Sequence, residues 1–368
     1  MKNVITLSVL IGAFSIAIFG CGIDGDDEEK ELTPVKFVSA VPPSGSPLVP
    51  NAILKITFEG VPENLNVTQD AVQYSVGTRS TGATTIVTIS EPFTIGELNL
   101  TITWEGGAHT LTYRVLGGMV QILEGEFEMG SNTDNANDDE RPVHAVYVDV
   151  FYMDIHEVTV GEYRRFVQET GHRAPDWNEV AHYSPTDQHP IVLVSWHDAM
   201  TYAKWAGKRL PTEAEWEKAA RGGTIQQPYP WGDAVPNGEQ CNFADRNLAH
   251  YWWADKAADD GYGHTAPVGS YPENEYGLHD MVGNVWEWCL DAYDAGFYAA
   301  SPETNPVSGI ENIKDIADTF PSVQSARVLR GGSWLVAANT VRSTARFRLD
   351  PASVSNNVGF RCVIDLQP

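Results

Sequence analysis

Residues 207–217 read GKRLPTEAEWE, a stretch that marks the end of one helix and the start of the next. Thr212 and Glu215 have the spacing of a capping box, in which each side chain bonds the backbone N–H of the other residue at a helix start. Gly222 and Gly223 follow and stop the helix, because glycine adopts left-handed backbone angles that other residues avoid. We therefore predict a short helix between Thr212 and Gly222.

Two further helices precede this one along the chain. Thr159 and Glu162 form another capping box, and the helix that they begin ends at Gly171. Ser195 caps the next helix, which ends before Gly207. After residue 223 the pattern changes to loops and short strands. A domain with few helices and much coil needs stabilisation beyond regular hydrogen-bond ladders, and bound metal is one candidate.

Residues 33 to about 116 alternate apolar and polar side chains. This alternation is typical of strands with one buried face, and the segments are rich in β-branched residues and bounded by Gly, Pro and Asn. Short strands at this spacing predict an all-β sandwich of immunoglobulin type. The part contains no cysteine pair and no catalytic cluster, so we expect it to serve as a spacer or in adhesion. The clearest segments are 53–58, 85–89 and 98–104.

The composition indicates a folded, acidic protein of two domains. The chain of 368 residues exceeds one ordinary domain of about 150 residues, and 42 % hydrophobic residues suffice for a buried core. The formal net charge of −25 argues against nucleic acid as a partner, because phosphate binding requires clustered Lys and Arg. An acidic surface suits a protein outside the cytoplasm or one that binds cations, although solubility alone accounts for most of the charge.

The N-terminus resembles a bacterial lipoprotein signal. Lys2 precedes an apolar run over 4–19 that is too short to span a bilayer comfortably, and Gly20-Cys21 follows it. Cleavage before Cys21 would leave a lipidated cysteine as a membrane anchor. A plain signal peptide or a buried helix is the alternative. We expect an envelope lipoprotein, periplasmic or surface-exposed, divided into a signal peptide (1–20), an acidic tether (21–32), the immunoglobulin-like sandwich (33–116) and a second domain (118–366).

A series of short motifs runs through residues 118 to 365. They are GEFEMG (125–130), FYMD (151–154), HP (189–190) with VSW (194–196), GKRLPTEAEWE (207–217), GNVWEW (283–288), RGGSW (330–334) and GFR (359–361). In type and order they resemble the formylglycine-generating enzyme, or sulfatase-modifying factor, family. The resemblance implies a variant of the C-type lectin fold, α+β with little regular structure, preceded here by the all-β sandwich.

The resemblance also implies two calcium sites built from side-chain and carbonyl oxygens, which hard cations prefer. The first maps onto the side chains of Asn242 and Asp260 and the carbonyls of Phe243 and Tyr262. The alternative is that the carboxylates only cap turns or form salt bridges. An acidic stretch over 134–140 has the wrong spacing for an EF-hand loop, and we expect it to be a solvated loop. The second calcium site maps onto Gly283, Asn284, Val285 and Glu287.

Three cysteines follow Cys21, so one disulfide can form and one thiol is left over. Cys241 directly precedes the first implied calcium site and Cys289 follows the Trp-Glu-Trp run of the second. A bond between them would clamp two loops already held by metal, and we prefer this pairing. Cys362 stands where related enzymes carry a structural cysteine, but its expected partner position is Ala220. We therefore expect Cys362 to be a free, buried thiol.

The enzymes of this family oxidise a substrate cysteine to formylglycine with oxygen and one copper ion. Two cysteines, five positions apart just after the Gly-Gly-Ser-aromatic motif, hold the copper, because Cu(I) prefers soft sulfur ligands. The motif here is Gly331–Trp334, and the two positions are occupied by Val336 and Val341. Valine cannot bind copper. The resemblance therefore implies calcium as a cofactor, whereas copper is not expected and no catalytic residue is assigned.

A ligand groove is expected around the same motif. Arginines beside aromatic rings can hold carboxylates, phosphates or sugars through forked hydrogen bonds and stacking. The alternative, which we favour for Arg330, Arg346 and Arg361, is that each pairs with a buried acid. For Arg342 and Arg348 the two interpretations are balanced. The groove candidates are Trp286, Trp288, Ser333, Trp334, Val336, Asn339, Val341, Arg342, Arg346 and Arg348.

Three functions remain open at this point. The leading hypothesis is a calcium-stabilised binding or assembly module that is anchored to the membrane through Cys21 and binds an envelope protein, peptide or glycan. The second is a periplasmic oxidoreductase with altered, copper-free chemistry. The third is formylglycine generation by an unrecognised route. Fold resemblance alone cannot choose between them, because chemistry resides in the site and not in the scaffold.

Overall fold

A computed structural model describes residues 35–48, 52–69, 72–90, 92–93 and 96–365. The predicted signal peptide, Cys21 and the acidic tether lie outside these residues. From Val35 onward the chain packs as one compact unit. None of the helices in the described part is long and apolar enough to cross a membrane.

The first part is all β, as predicted. Its two sheets have the strand orders β1-β3-β7-β6 and β2-β9-β8-β4-β5. Apolar side chains from both sheets, among them Ile56 and Leu100, share one buried core, so the sheets form a sandwich. The immunoglobulin-type connection of the strands remains a prediction. The strands are β1 (Lys36–Val41), β2 (Pro47–Leu48), β3 (Leu54–Glu59), β4 (Asn66–Gln69), β5 (Val72–Gln73), β6 (Gly77–Thr81), β7 (Thr84–Ile89), β8 (Gly96–Trp104) and β9 (Gly107–Val115).

The second part mixes short strands with helices, in agreement with the predicted α+β class. Its sheets have the orders β10-β13-β18, β11-β12 and β16-β15-β14-β17. Met119 and Tyr152 extend into the core of the sandwich, so packing is continuous across the predicted domain boundary. The strands are β10 (Met119–Ile122), β11 (Gly125–Met129), β12 (His144–Val148), β13 (Phe151–Asp154), β14 (Trp286–Ala292), β15 (Arg327–Arg330), β16 (Arg346–Leu349), β17 (Val358–Gly359) and β18 (Val363–Asp365).

All three predicted helices are present. Thr159, Ser195 and Thr212 each accept a hydrogen bond from a backbone N–H of the first turn, and an acidic side chain three residues on bonds back to the cap. Gly222 ends its helix at φ 57°, a left-handed angle. The sequence did not predict α2 or α5, because seven residues are too few to show an apolar face. The helices are α1 (Val160–Thr170), α2 (Trp177–Tyr183), α3 (Trp196–Trp205), α4 (Glu213–Arg221) and α5 (Ile313–Thr319).

The four-stranded sheet β16-β15-β14-β17 brings distant motifs together. In the ladder, Arg330 lies opposite both Glu287 of β14 and Arg346 of β16. Trp196 and Trp288 pack with Phe166 and Phe360 in the largest core of this part. The segment that follows Arg330 therefore starts at the end of an inner strand that is paired on both sides.

Candidate functional site

The Gly-Gly-Ser-Trp motif forms a tight turn at the end of β15. Gly331 and Gly332 have φ angles of 94° and 80°. A Cβ on Gly332 would lie 2.8 Å from Cγ1 of Val341, so only glycine fits this approach. The Ser333 hydroxyl accepts a hydrogen bond from Asn357 Nδ2 at 3.0 Å. The turn thus brings both ends of segment 332–341 together.

The two positions that hold copper in related enzymes lie in one apolar cluster. Val341 is fully buried, and Val336 is half-buried against the same cluster, which includes Cys241, Phe243 and Val282. The side chains that meet there are aliphatic. These residues do not fit copper, because Cu(I) requires soft donor atoms.

A cavity of about 230 Å³ opens beside Val336. Trp286 stacks on the half-exposed Phe347 at 5.5 Å between ring centroids and forms one wall. Ser355 and Asn357 supply the polar part of the lining, and the Ser355 hydroxyl donates to Asn357 Oδ1 at 2.6 Å. Trp286 and Val336 were predicted as groove residues, whereas Phe347, Ser355 and Asn357 were not, because no motif marks them.

Most of the other predicted groove residues lie elsewhere. Ser333, Trp334 and Val341 are buried, and Trp288 donates from Nε1 to the carbonyl of Val194 at 3.3 Å inside the core. None of the four is among the residues that line the cavity beside Val336. Asn339 is exposed and its carbonyl accepts a hydrogen bond from Arg342 Nε.

The arginines are mostly structural. Arg342 is buried and binds Glu140 through both terminal nitrogens, at 2.5 and 2.6 Å. Arg346 binds both carboxylate oxygens of Glu213, at 2.6 and 2.9 Å. Neither side chain is free to hold a ligand. Arg348 is exposed and lies 4.7 Å from the ring centroid of Tyr293, so it is the predicted arginine that remains accessible.

The acidic stretch 134–140 is not merely a solvated loop, as we had expected. Residues Asp138–Glu140 form a short 3-10 helix, and the Glu140 side chain is completely buried against Arg342. Burial of this carboxylate is possible because the guanidinium compensates its charge.

Arg330 and Arg361 each pair with a buried acid, which is the alternative that we favoured for them. Arg330 binds Glu213 at 3.0 Å and Glu217 at 2.6 Å, and all three side chains are buried. Burial raises the pKa of Glu217, but the neighbouring Arg221 and Arg330 outweigh this effect and bring its pKa below the ordinary value. Arg361 binds Glu287. These pairs tie α4 and the C-terminal segment to the four-stranded sheet.

The residues of the first predicted calcium site lie together. Asp260 accepts hydrogen bonds from the backbone N–H groups of Phe243 and Tyr262, both at 2.9 Å. Burial, together with the nearby Asp245, raises the pKa of Asp260 to about 7. The amide oxygen of Asn242 is buried and has no hydrogen-bond partner. This unpartnered amide oxygen belongs to the residue next to Phe243, whose N–H bonds Asp260, and it is the kind of donor that a hard cation prefers.

The side chains of the second predicted site are already occupied. Arg361 binds both carboxylate oxygens of Glu287 at 2.8 Å. The Asn284 amide bonds Ala266, Asn242 and Glu157. The contacts thus agree with the alternative in which Glu287 is a salt-bridged carboxylate. Gly283 and Val285 have no side-chain oxygen, so they could offer a cation only their backbone carbonyls. Within the described residues, no group of three or more His, Cys, Asp or Glu side chains is arranged to hold a metal.

Cys241 and Cys289 do not form the preferred disulfide. Both are free, buried thiols and belong to different apolar clusters. Cys362 is also free and buried, as expected. Burial raises the pKa of all three thiols well above the ordinary value. They are therefore protonated at neutral pH and are poor metal ligands or nucleophiles.

Residues 109–366 match the family model described as a sulfatase-modifying factor enzyme 1-like domain. The chain belongs to the sulfatase-modifying factor family. The formylglycine-generating enzyme of Streptomyces coelicolor is 38 % identical over 67 % of this chain and 89 % of its own length. A Bos taurus relative named inactive C-alpha-formylglycine-generating enzyme 2 is 35 % identical over 66 % of this chain and 87 % of its own. The solved structure of PvdO from Pseudomonas aeruginosa has a TM-score of 0.54 at 27 % identity, covering 67 % of this chain and 93 % of that one. The family model thus covers residues 109–366, and the likeness to PvdO extends over 67 % of this chain.

Proposed function

We propose that this sulfatase-modifying factor family member is a binding or assembly module that has lost copper-dependent formylglycine generation. The observation that carries the proposal is the packing of Val336 and Val341 in one apolar cluster. Related enzymes need two thiolates there, and these aliphatic side chains supply no donor atom. One relative is named an inactive formylglycine-generating enzyme. This name supports the proposal that the fold can be kept when the reaction is lost.

We do not favour an oxidoreductase with altered chemistry. Such an enzyme would need another redox-active group near the cavity. Cys241 is the thiol packed in the valine cluster, and burial raises its pKa well above the ordinary value. A protonated, buried thiol is a poor partner for a metal or an oxidant.

Two cavities provide a surface suited to binding. The cavity beside Trp286 is apolar, whereas a larger one of about 640 Å³ is lined by the charged side chains of Arg173, Asp176 and Glu179. Ser355 lines both cavities. A ligand with an apolar group and a polar or charged extension would match this arrangement, and a peptide or glycan of the cell envelope has such chemistry.

Calcium at the first site is part of the proposal. Asn242 and Asp260 would hold the ion through side-chain oxygens, with carbonyls of Phe243 and Tyr262 completing the shell. The bound charge would keep Asp260 ionised and join the loops around 242 and 260. Lipid attachment at Cys21 and placement in the bacterial cell envelope complete the proposal.

A copper titration tests the loss of the oxidase. Purified protein is titrated anaerobically with Cu(I). In a separate aerobic assay, copper-loaded protein is mixed with a cysteine peptide derived from a sulfatase, and aldehyde formation is measured. We expect no stoichiometric site and no aldehyde. The double variant V336C/V341C restores both sulfur positions and should bind one Cu(I). Tight copper binding or aldehyde formation by the unaltered chain would overturn the proposal.

A binding experiment tests the module. Labelled protein is applied to arrays of envelope peptides and glycans, in parallel with Ser355→Trp, which blocks the junction of the two cavities. Gln324→Trp adds the same ring at an exposed position and is the matched control. We expect ligands that bind the unaltered chain and Q324W but not S355W. Ligands that bind all three equally, or no ligand at all, would contradict this face as the binding site.

A further inference from the structure

An aromatic loop follows the 3-10 helix Arg246–Leu248. It consists of four consecutive residues, His250, Tyr251, Trp252 and Trp253. Trp252 is 87 % exposed, so most of both faces of its indole is open to solvent. Tyr251 and Trp253 are half-buried. Trp252 therefore contributes little to the core and is available for contact with a ligand.

The neighbouring rings are held in place. Tyr251 stacks on Trp253 with ring centroids 4.5 Å apart and an interplanar angle of 22°. Trp253 donates from Nε1 to the carbonyl of Leu335 at 3.0 Å. Trp252 stands at 89° to the Trp253 ring, with centroids 5.8 Å apart. The loop thus presents Trp252 from a fixed base, so a ligand that contacts it pays little entropy to order the loop.

The aromatic loop is continuous with the surface proposed above for binding. Tyr251, Trp253, Leu193 and Leu335 are partly buried against the same small apolar cluster. Leu193 also lines the cavity of about 640 Å³. Leu335 directly precedes Val336, which lines the cavity of about 230 Å³. A ligand bound in either cavity could therefore extend onto the aromatic loop.

The charges around the loop do not favour an anionic ligand or an anionic membrane. Residues 246–259 contain two basic and two acidic side chains, so this segment has no formal net charge. One of the two cations, Arg246, lies 3.4 Å from the carboxylate of Asp259. The chain as a whole has a formal net charge of −25 and would repel an anionic surface. The expected ligand is therefore neutral.

A protein partner would need a wider apolar surface than this loop provides. A stable interface covers about 800 Å² on each partner. Within residues 246–259, Trp252 is the only large apolar side chain that is more than half exposed. Exposed polar side chains, among them His250 and Lys256, accompany it in the loop. A single open ring among hydrogen-bonding groups suits a small ligand that has both C–H and hydroxyl groups.

We propose that the aromatic loop is a glycan subsite, in which Trp252 stacks on the apolar face of a neutral pyranose ring. The C–H groups of that face carry partial positive charge and are attracted to the electron-rich face of the indole. The sugar hydroxyl groups would bond polar side chains of the loop. This inference rests on the proposed binding function and, of the peptide and glycan ligands named there, selects the glycan.

Calorimetry on the full chain tests the subsite. The probes are neutral tetrasaccharides of glucose, mannose and N-acetylglucosamine, and phosphatidylglycerol vesicles serve as the membrane alternative. We expect at least one tetrasaccharide to bind and the vesicles not to bind. Trp252→Ala should weaken sugar binding about ten-fold, because one aromatic stacking contact is lost, and Trp252→Phe should keep most of it. Ile225→Ala removes another exposed apolar side chain and should bind as the unaltered chain does.

The variant S355W separates this subsite from the proposed binding face. Binding that S355W loses and W252A keeps would leave the proposed function standing and overturn the glycan subsite. Sugar binding that W252A loses and S355W keeps would support the subsite and contradict the two cavities as the binding face. Circular dichroism shows that each variant is folded. Absence of sugar binding, or binding of vesicles or envelope peptides alone through Trp252, would overturn the proposal.

Discussion

Arg342 and Glu140, 202 residues apart in the chain, form a buried ion pair with two hydrogen bonds of 2.5 and 2.6 Å. Thr344 also donates to Glu140 at 2.7 Å. The pair fixes the segment that follows the Gly-Gly-Ser-Trp motif to the 3-10 helix Asp138–Glu140. An arginine that resembled a ligand-binding group in the sequence is therefore part of the scaffold.

Breaking this pair should strongly destabilise the fold. Glu140→Gln leaves the Arg342 charge buried without compensation, so we expect a loss of about 3–5 kcal/mol in the free energy of unfolding. Urea denaturation measures the loss. The exposed pair Arg165–Glu169 is the control, and Arg165→Met should leave the free energy of unfolding nearly unchanged, because solvent screens an exposed pair. If the double variant E140Q/R342M were as unstable as the sum of the single variants, the pair would not be coupled as the structure shows.

Gly332→Ala should destabilise the protein for two reasons. The new Cβ would crowd Val341, and alanine disfavours the left-handed backbone angle at this position. The new Cβ would lie 2.8 Å from Val341 Cγ1 at a φ of 80°. We expect the free energy of unfolding to fall by about 1–2 kcal/mol because of the left-handed angle. Overpacking against Val341 should lower it by about 1–3 kcal/mol more. Gly118→Ala, at φ 73° with no atom within 4 Å, shows the first effect alone. Equal losses of unfolding free energy in the two variants would argue against the contact with Val341.

Removing calcium should lower the melting temperature. Free calcium at about 100 times its dissociation constant raises the free energy of unfolding by about 2.7 kcal/mol. In a domain of this size, this corresponds to a rise of about 5 °C or more in the melting temperature. Differential scanning calorimetry with and without a chelator measures the shift. Asn242→Ala should abolish it, whereas Asp134→Asn, an exposed acid outside the site, should preserve it. An unchanged melting temperature in the unaltered chain would remove the calcium assignment.

The stability of the metal-free protein should fall as the pH rises from about 4 to 7. Burial and the neighbouring Glu213 raise the pKa of Asp291 from 3.8 to about 7. The folded state then holds a proton that the unfolded state has released, so this contribution is complete below pH 3.8 and is lost as the pH rises through 7. The expected slope is about 1.4 kcal/mol per pH unit from this one group.

Urea denaturation at pH 5, 6 and 7 in the presence of a chelator checks the slope. Asp291→Asn does not titrate and should reduce the slope by the contribution of this one group, while the slope from Asp260 remains. Asp134→Asn should leave the slope unchanged. A variant D291N with the slope of the unaltered chain would show that Asp291 is ionised in the folded state.

The local elements were largely predictable from the sequence. Thr159, Ser195 and Thr212 begin their helices as predicted, because a capping box involves only four neighbouring residues. The alternating segments formed strands for the same reason, since period-two alternation is a local pattern. Val336 and Val341, which the sequence placed just after the motif Arg330–Trp334, pack in one apolar cluster, and the loss of copper binding there stays a prediction.

Partners across long distances could not be predicted. Nothing near Arg342 in the sequence indicates Glu140, and Glu287 resembled a calcium ligand until Arg361 proved to occupy it. Cys241 and Cys289 are adjacent to predicted sites in the sequence but belong to different apolar clusters in the fold. Phe347 and Ser355 line the cavity without belonging to any motif.

The sequence by itself determined the family and the helix starts, because these depend on residue type and short spacing. Only the tertiary structure decided which charged groups are paired and which are free. A carboxylate or guanidinium is available to a ligand only if no opposite charge from a distant part of the chain is packed against it. That pairing depends on how the sheets and loops meet, as the pair of Glu140 and Arg342 shows.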